Sequence, residues 1–265
     1  MKNYQGVLKK MQTEYDTTVQ YYLIFENDFL NVNQILDKKI SINFLKFSCI
    51  NCGMQKKVFR DGFCYNCFST SAMTGEWIIR PELSRAHLGE EDRDLETEKK
   101  MQLQPHIVYL ANSGDVKVGV TRKSNKLTRW IDQGAHEAIE ILETPNRYLA
   151  GIAEVALKNH VSDKTNWKNM VLNHCKEVDL LEKRDFLKEF IPEEARNYFL
   201  SSAEKTSINF PVLQYPLKCK SLGLIKNPFY EGVLKGIKGQ YLIFEDGMVF
   251  NIRNHEGYEV DLRIF

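Results

Sequence analysis

The stretch "CINCGMQKKVFRDGFCYNC" constrains this chain more than any other. It places Cys49, Cys52, Cys64 and Cys67 as two Cys-x-x-Cys pairs with eleven residues between them. Two residues between ligands let one tight turn present both thiolates to a single ion, and two such turns supply the four soft ligands of a tetrahedral zinc site. Gly53 relieves the first turn, and Asp61-Gly62 closes the intervening residues into a short hairpin. Four thiolates leave no open position, so the zinc expected here is structural. The remaining two cysteines, Cys175 and Cys219, lie far apart, which fits metal binding in a reducing compartment better than a disulfide framework. Lys56, Lys57 and Arg60 either touch phosphate or only solubilise the hairpin.

At 265 residues, 43% of them hydrophobic, the chain is long enough for two or three small domains with their own cores. Lys and Arg number 36 against 35 Asp and Glu, so no global basic field draws in nucleic acid, and any such contact has to be local. No window approaches the ~18 uninterrupted apolar residues of a membrane span, and no signal-peptide core opens the chain. A cytoplasmic protein without membrane contact is expected, while its oligomeric state is not legible.

The two ends read as β structure. "TVQYYLIF" and "ISINF" alternate near the N-terminus; residues 239–253 read as a hairpin turning at Asp246-Gly247, and "YEVDLRIF" alternates to the end. Tyr22-Leu23-Ile24-Phe25-Glu26 recurs as Tyr241-Leu242-Ile243-Phe244-Glu245. The match is a diverged internal repeat, two β units that meet in space, or the chance likeness of β-rich strings.

The centre is different. "IVYLA" and "VKVGVT" flank "SGD", so residues 107–121 form a hairpin, and Gly119 marks a close approach of another backbone or a ligand. Ser124 or Asn125 caps a helix carrying Leu127, Trp130 and Ile131, which ends at Gly134; "AIEILET" is a third strand. A second helix starts at Asn146, with Leu149, Ile152, Ala153, Ala156 and Leu157 on its apolar face.

This β-β-α-β-α order, with Ile107-Val108-Tyr109 in the first strand, Lys117-Val118-Gly119 in the second, Arg129 in the first helix and Glu154 in the second, resembles the GIY-YIG nuclease superfamily over about seventy residues. Two departures stand out: Ile107 replaces a glycine, and Lys117 replaces a tyrosine, as in a Lys-Ile-Gly branch of that superfamily. The whole chain, with "HLG", "RWIDQGA" and "GIKGQYLIF", also resembles an uncharacterised bacterial domain-of-unknown-function family, DUF2797. The nuclease resemblance implies metal-dependent phosphodiester hydrolysis. Glu154 would hold magnesium or manganese, Arg129 would clamp the phosphate, and Tyr109 with Lys117 would orient or activate water. A lysine near its reference pKa of about 10.4 is a poor base, so Lys117 needs desolvation or a cationic neighbour for that task. Arg122, Lys123 and Lys126, beside Lys117 and Arg129, are the expected nucleic-acid contacts.

The expected fold is therefore α+β in four parts: an N-terminal β unit with a zinc ribbon at 49–67 (1–80), a charged linker or helix (81–105), a GIY-YIG-like domain (106–175), and a helical segment with a small barrel-like β unit (176–265). The expected function is an endonuclease acting on DNA or RNA. A non-catalytic nucleic-acid-binding protein and a protein-interaction module are the alternatives.

Overall fold

The computed structural model describes residues 2–161 and 166–265. Residues 162–165, inside the stretch assigned to the central domain, lie outside the described residues. The chain opens with β1 (Lys2–Val7), β2 (Gln12–Glu14), β3 (Gln20–Ile24), β4 (Phe29–Asn31) and the long β5 (Lys39–Phe47). The cysteine stretch follows as β6 (Val58–Arg60), β7 (Phe63–Cys64) and α1 (Tyr65–Thr70). Successive single 3-10 turns then lead to α2 (Leu95–Gln102). The charges of this part have a local purpose: Asp94 accepts from Thr97 N at 2.7 Å to cap α2, and Glu98 folds back onto the N–H groups of Arg93 and Asp94.

The centre comprises β8 (His106–Asn112), β9 (Val116–Arg122), α3 (Lys126–Asp132), β10 (Glu137–Thr144) and α4 (Arg147–Lys158). Its sheet runs β10-β8-β9, extended beyond β10 by β11 (Thr206–Ser207), and every residue of β8 is buried. Both faces of β8 are covered. Val108 and Leu110 pack with Ala150, Ala153 and Leu157 of α4, while Ile107, Tyr109 and Ala111 join Trp130 and Ile131 of α3 in a core shared with the terminal strands. Trp130 is thus a core residue, as its spacing with Leu127 and Ile131 suggests.

Beyond α4 come α5 (Trp167–Val171), α6 (Leu180–Leu187) and α7 (Glu193–Arg196), the last two separated at Pro192, and then β12 (Lys220–Ser221), β13 (Phe229–Lys238), β14 (Tyr241–Phe244), β15 (Met248–Asn251) and β16 (Tyr258–Ile264). β2, β3 and β4 form a three-stranded sheet of their own, but other strands of the two ends of the chain share a sheet. One seven-stranded sheet runs β1-β16-β5-β13-β14-β15-β12, so hydrogen bonds cross the division drawn between 1–80 and 176–265.

The pairing in that sheet is pseudo-twofold symmetric. Ile42 of β5 faces Leu262 of β16, and the pairs on either side are Ile40 with Ile264 and Phe44 with Val260. Further out, Tyr4 pairs Leu262 as Tyr230 pairs Ile42. The hairpins repeat too: Tyr22–Asn31, Leu23–Leu30 and Ile24–Phe29 in one half match Tyr241–Asn251, Leu242–Phe250 and Ile243–Val249 in the other. The sequence likeness therefore extends to Tyr4-Gln5-Gly6-Val7-Leu8 and Tyr230-Glu231-Gly232-Val233-Leu234. The shared glycines have a physical cause. A Cβ on Gly6 would lie 2.9 Å from the Phe25 ring, and one on Gly232 would lie 3.2 Å from the ring of Phe244.

The central unit is tied to both halves through Asp132 at the end of α3. Lys10 Nζ lies 2.6 Å from its Oδ2, Gln240 Nε2 donates to its Oδ1 at 2.8 Å, and Gln240 Oε1 accepts from Met11 N. Among the described residues no helix is long and apolar enough to cross a membrane.

Candidate functional site

The four cysteines of the ribbon come together as their spacing predicts. Their Sγ atoms all lie within 4.8 Å of one another, and no disulfide forms. Zn–S bonds of about 2.3 Å place tetrahedral sulfurs roughly 3.8 Å apart, so the cluster fits zinc. The first turn closes through Gly53 N to Cys49 O at 2.9 Å, with Gly53 at φ 68°. Burial opposes charge on Cys49, but backbone N–H groups of Cys52, Cys64 and Asn51 outweigh it and bring the thiol down to about 6. Among the described residues this is the one group of three or more His, Cys, Asp or Glu side chains within ligand reach. His87 stays apart from it, stacked on Tyr148 at 4.5 Å.

A second site lies on the central sheet. Lys117 and Arg122 of β9, Arg129 of α3 and Glu154 of α4 line one cavity of about 470 Å³. Residues that the sequence did not single out complete it: Arg147 and Lys158 of α4, Gln133, Arg253 from the C-terminal half, and an apolar wall that includes Trp77 and Pro81. Six cationic side chains thus face a single carboxylate in a chain of net charge +1. Charge is concentrated locally, where a polyanion would meet it.

The wall is fixed by α4. Arg147 Nε and Nη2 donate to the carbonyls of Trp77 and Ile78 at 3.0 and 2.7 Å, with the guanidinium 5.6 Å from the Trp77 ring. Gly151 allows backbone contact, since a Cβ there would come 2.2 Å from Glu82 N. Burial brings Arg147 down to about 10.

Tyr109, Lys123 and Lys126 do not line the cavity. The Tyr109 ring is wholly buried beneath β9, opposite Gly119, where a Cβ would meet its hydroxyl at 2.6 Å. That ring is the close approach for which the glycine is needed. Its hydroxyl donates to Gln133 Oε1 at 3.1 Å, and burial raises its pKa, so it is a support for the cavity floor rather than a ready base. Lys123 Nζ pairs with Glu143 at 2.7 Å, and Lys126 pairs with Glu140; both cations are committed to carboxylates of β10.

Inside the cavity the electrostatics are unusual. Burial, and then the Arg129 charge, bring Lys117 down to about 8. Burial raises the Glu154 carboxyl, partly offset by Lys158, whose Nζ lies 3.4 Å from Oε1. Oε2 of Glu154 is buried with no hydrogen-bond partner among the described residues. Burial also opposes the Arg129 charge, but Tyr109, Asp132 and Glu154 keep that guanidinium protonated. A buried acceptor without a partner is costly and suits an added cation. Glu154 is the one carboxylate of the cavity and so the side chain there that could hold a cation.

Fold and sites together define a mixed α+β protein with a four-cysteine, zinc-compatible cluster and a separate cationic cavity carrying one buried carboxylate. The chain belongs to the family described as "Protein of unknown function (DUF2797)", which matches residues 37–260. Comparison with curated proteins and with solved structures gave no match.

Proposed function

We propose that the cavity is a phosphodiester-hydrolysing site of GIY-YIG type acting on nucleic acid. The observation that carries this reading is the convergence of Lys117, Arg129 and Glu154, distant in sequence, on one cationic cavity. Arg129 and Arg122 hold the phosphate by charge-assisted hydrogen bonds. Lys117, neutral in about half of the molecules near pH 8, takes the proton from the attacking water. The water oxygen bonds to phosphorus, the ester P–O bond breaks, and the leaving oxygen takes a proton from solvent. A divalent ion on Glu154 would supply neutralisation of charge on the phosphoryl oxygens. Gln133 and Tyr109 keep the floor in place, and the zinc cluster holds the ribbon folded.

Cleavage of labelled single-stranded, duplex and branched DNA and RNA with magnesium or manganese tests the proposal. Wild type should cut, and Arg129→Ala should lose at least 100-fold in rate while remaining folded. Binding that weakens steeply with salt, without cleavage by wild type, would instead support a non-catalytic phosphate-binding role for the cavity.

A further inference from the structure

We propose that the outer edge of β4 and the cavity beside it form a docking site for an extended segment of a partner protein, which adds as a parallel strand and inserts two alternate apolar side chains. The argument is independent of the phosphodiester reading and rests on the pseudo-twofold symmetry. Under that symmetry β4 corresponds to β15, because Leu23–Leu30 and Ile24–Phe29 match Leu242–Phe250 and Ile243–Val249.

The edge of β15 is covered. There β12 pairs in parallel, with Lys220 N donating to Gly247 O at 3.0 Å and Leu222 N to Val249 O at 2.9 Å. Leu222 and Leu224, two residues apart, are 1% and 0% exposed in the main core. Leu224 N also reaches His255 Nε2 at 3.4 Å.

The edge of β4 is different. Among the described residues β4 is the last strand of its sheet, with no strand paired to its outer edge, and Phe29 is 59% exposed, whereas its counterpart Val249 packs on Met170 and Val171 of α5. Beside it lies a cavity of about 850 Å³ bounded in part by Tyr4, Leu30, Ile35 and Ile264. Those positions correspond to Tyr230, Phe250, His255 and Phe44: Phe250 shares the main core with Leu222 and Leu224, Tyr230 and Phe44 pack against that core, and His255 meets Leu224 N. An unpaired edge is a template for strand addition, and pockets for alternate side chains give such addition its selectivity. The other half supplies the chemistry of the occupant: a short extended segment with apolar residues at i and i+2, as in "KSLGL" at 220–224.

The test is a titration of the full chain against the fluorescein-labelled peptide KSLGLIKN, followed by fluorescence anisotropy. Saturable one-to-one binding is expected. It should weaken at least tenfold when both peptide leucines are replaced by aspartate, and to the same degree for Phe29→Asp, an exposed position whose variant should keep its circular dichroism spectrum. The peptide control requires no protein variant, so the test stands even if Phe29→Asp misfolds. No saturable binding, or equal binding of the aspartate peptide, would overturn the proposal. So would a concentration-dependent dimer in light scattering that Phe29→Asp abolishes, because the occupant would then be a second copy of this chain.

Discussion

Lys117 shows how burial can turn an unsuitable residue into a usable one. In water its amine is charged until about pH 10.4. In the cavity, burial and the neighbouring Arg129 charge bring it to about 8. A protonated amine cannot accept a proton, so kcat/KM for cleavage should rise with pH up to about 8 and then level off. Lys117→Arg, which keeps the charge but does not titrate in this range, should lose both the rate and the rise. A profile still rising past pH 9 would exclude Lys117 as the base. Gly119 gives a stability counterpart: Gly119→Ala forces a Cβ to within 2.6 Å of the Tyr109 hydroxyl, so urea unfolding should show a loss of ~1–3 kcal/mol.

Single elements were legible where one local pattern decides them. The hairpin at β8 and β9, the capped helices and the cysteine turns follow from period, turn residues and ligand spacing, which act over a few residues. The buried state of Tyr109 was not, because a tyrosine in an alternating strand points to one face or the other with the same local pattern. Lys123 and Lys126 looked like phosphate contacts, but their partners Glu143 and Glu140 sit on a strand two places away in the sheet. The Glu154–Lys158 pair at i,i+4 and the small residues Ala150, Gly151 and Ala153 were readable signals for the close packing of α4. The cysteine module gives the test at this scale. None of Phe59, Tyr65 and Phe68, which pack on one another at ring distances of 5.2 Å from Phe59, belongs to a main core cluster. A metal ion on the four cysteines would therefore supply much of the folding free energy of the module. Chelation, or Cys64→Ser, should expose residues 49–70 to proteolysis and hydrogen exchange while β5 and β16 stay protected; exchange through the whole chain, or none, would contradict this.

For the whole molecule, the informative contacts join residues far apart in the chain, such as Ile42 with Leu262 and Lys10 with Asp132, and no local pattern encodes them. Five matching letters in two β segments could not distinguish repeat from coincidence; the symmetric register of β5 on β16 does. The same long-range closure brings Arg253 to a cavity built mainly from residues 77–158. It also places Asp132, with its side chain 5% exposed, between Lys10 and Gln240. Asp132→Ala leaves Gln240 short of an acceptor and should lower the urea midpoint by the equivalent of ~1–3 kcal/mol, with an unchanged slope. A midpoint within error of wild type would mean that the halves are held by apolar packing alone.

The central claim is tested most directly by Glu154→Gln, read in cleavage and stability together. Glu154 carries a buried carboxylate whose pKa burial raises and whose Oε2 lacks a partner. A group with a raised carboxyl pKa costs stability once the pH is high enough to ionise it, and that cost is absent when it is protonated or replaced by an amide. At pH 7 the variant should therefore melt higher, by roughly 2–4 °C for about 1 kcal/mol, while metal-dependent cleavage disappears. Retained cleavage would contradict the account, because the cavity would then not be the catalytic site.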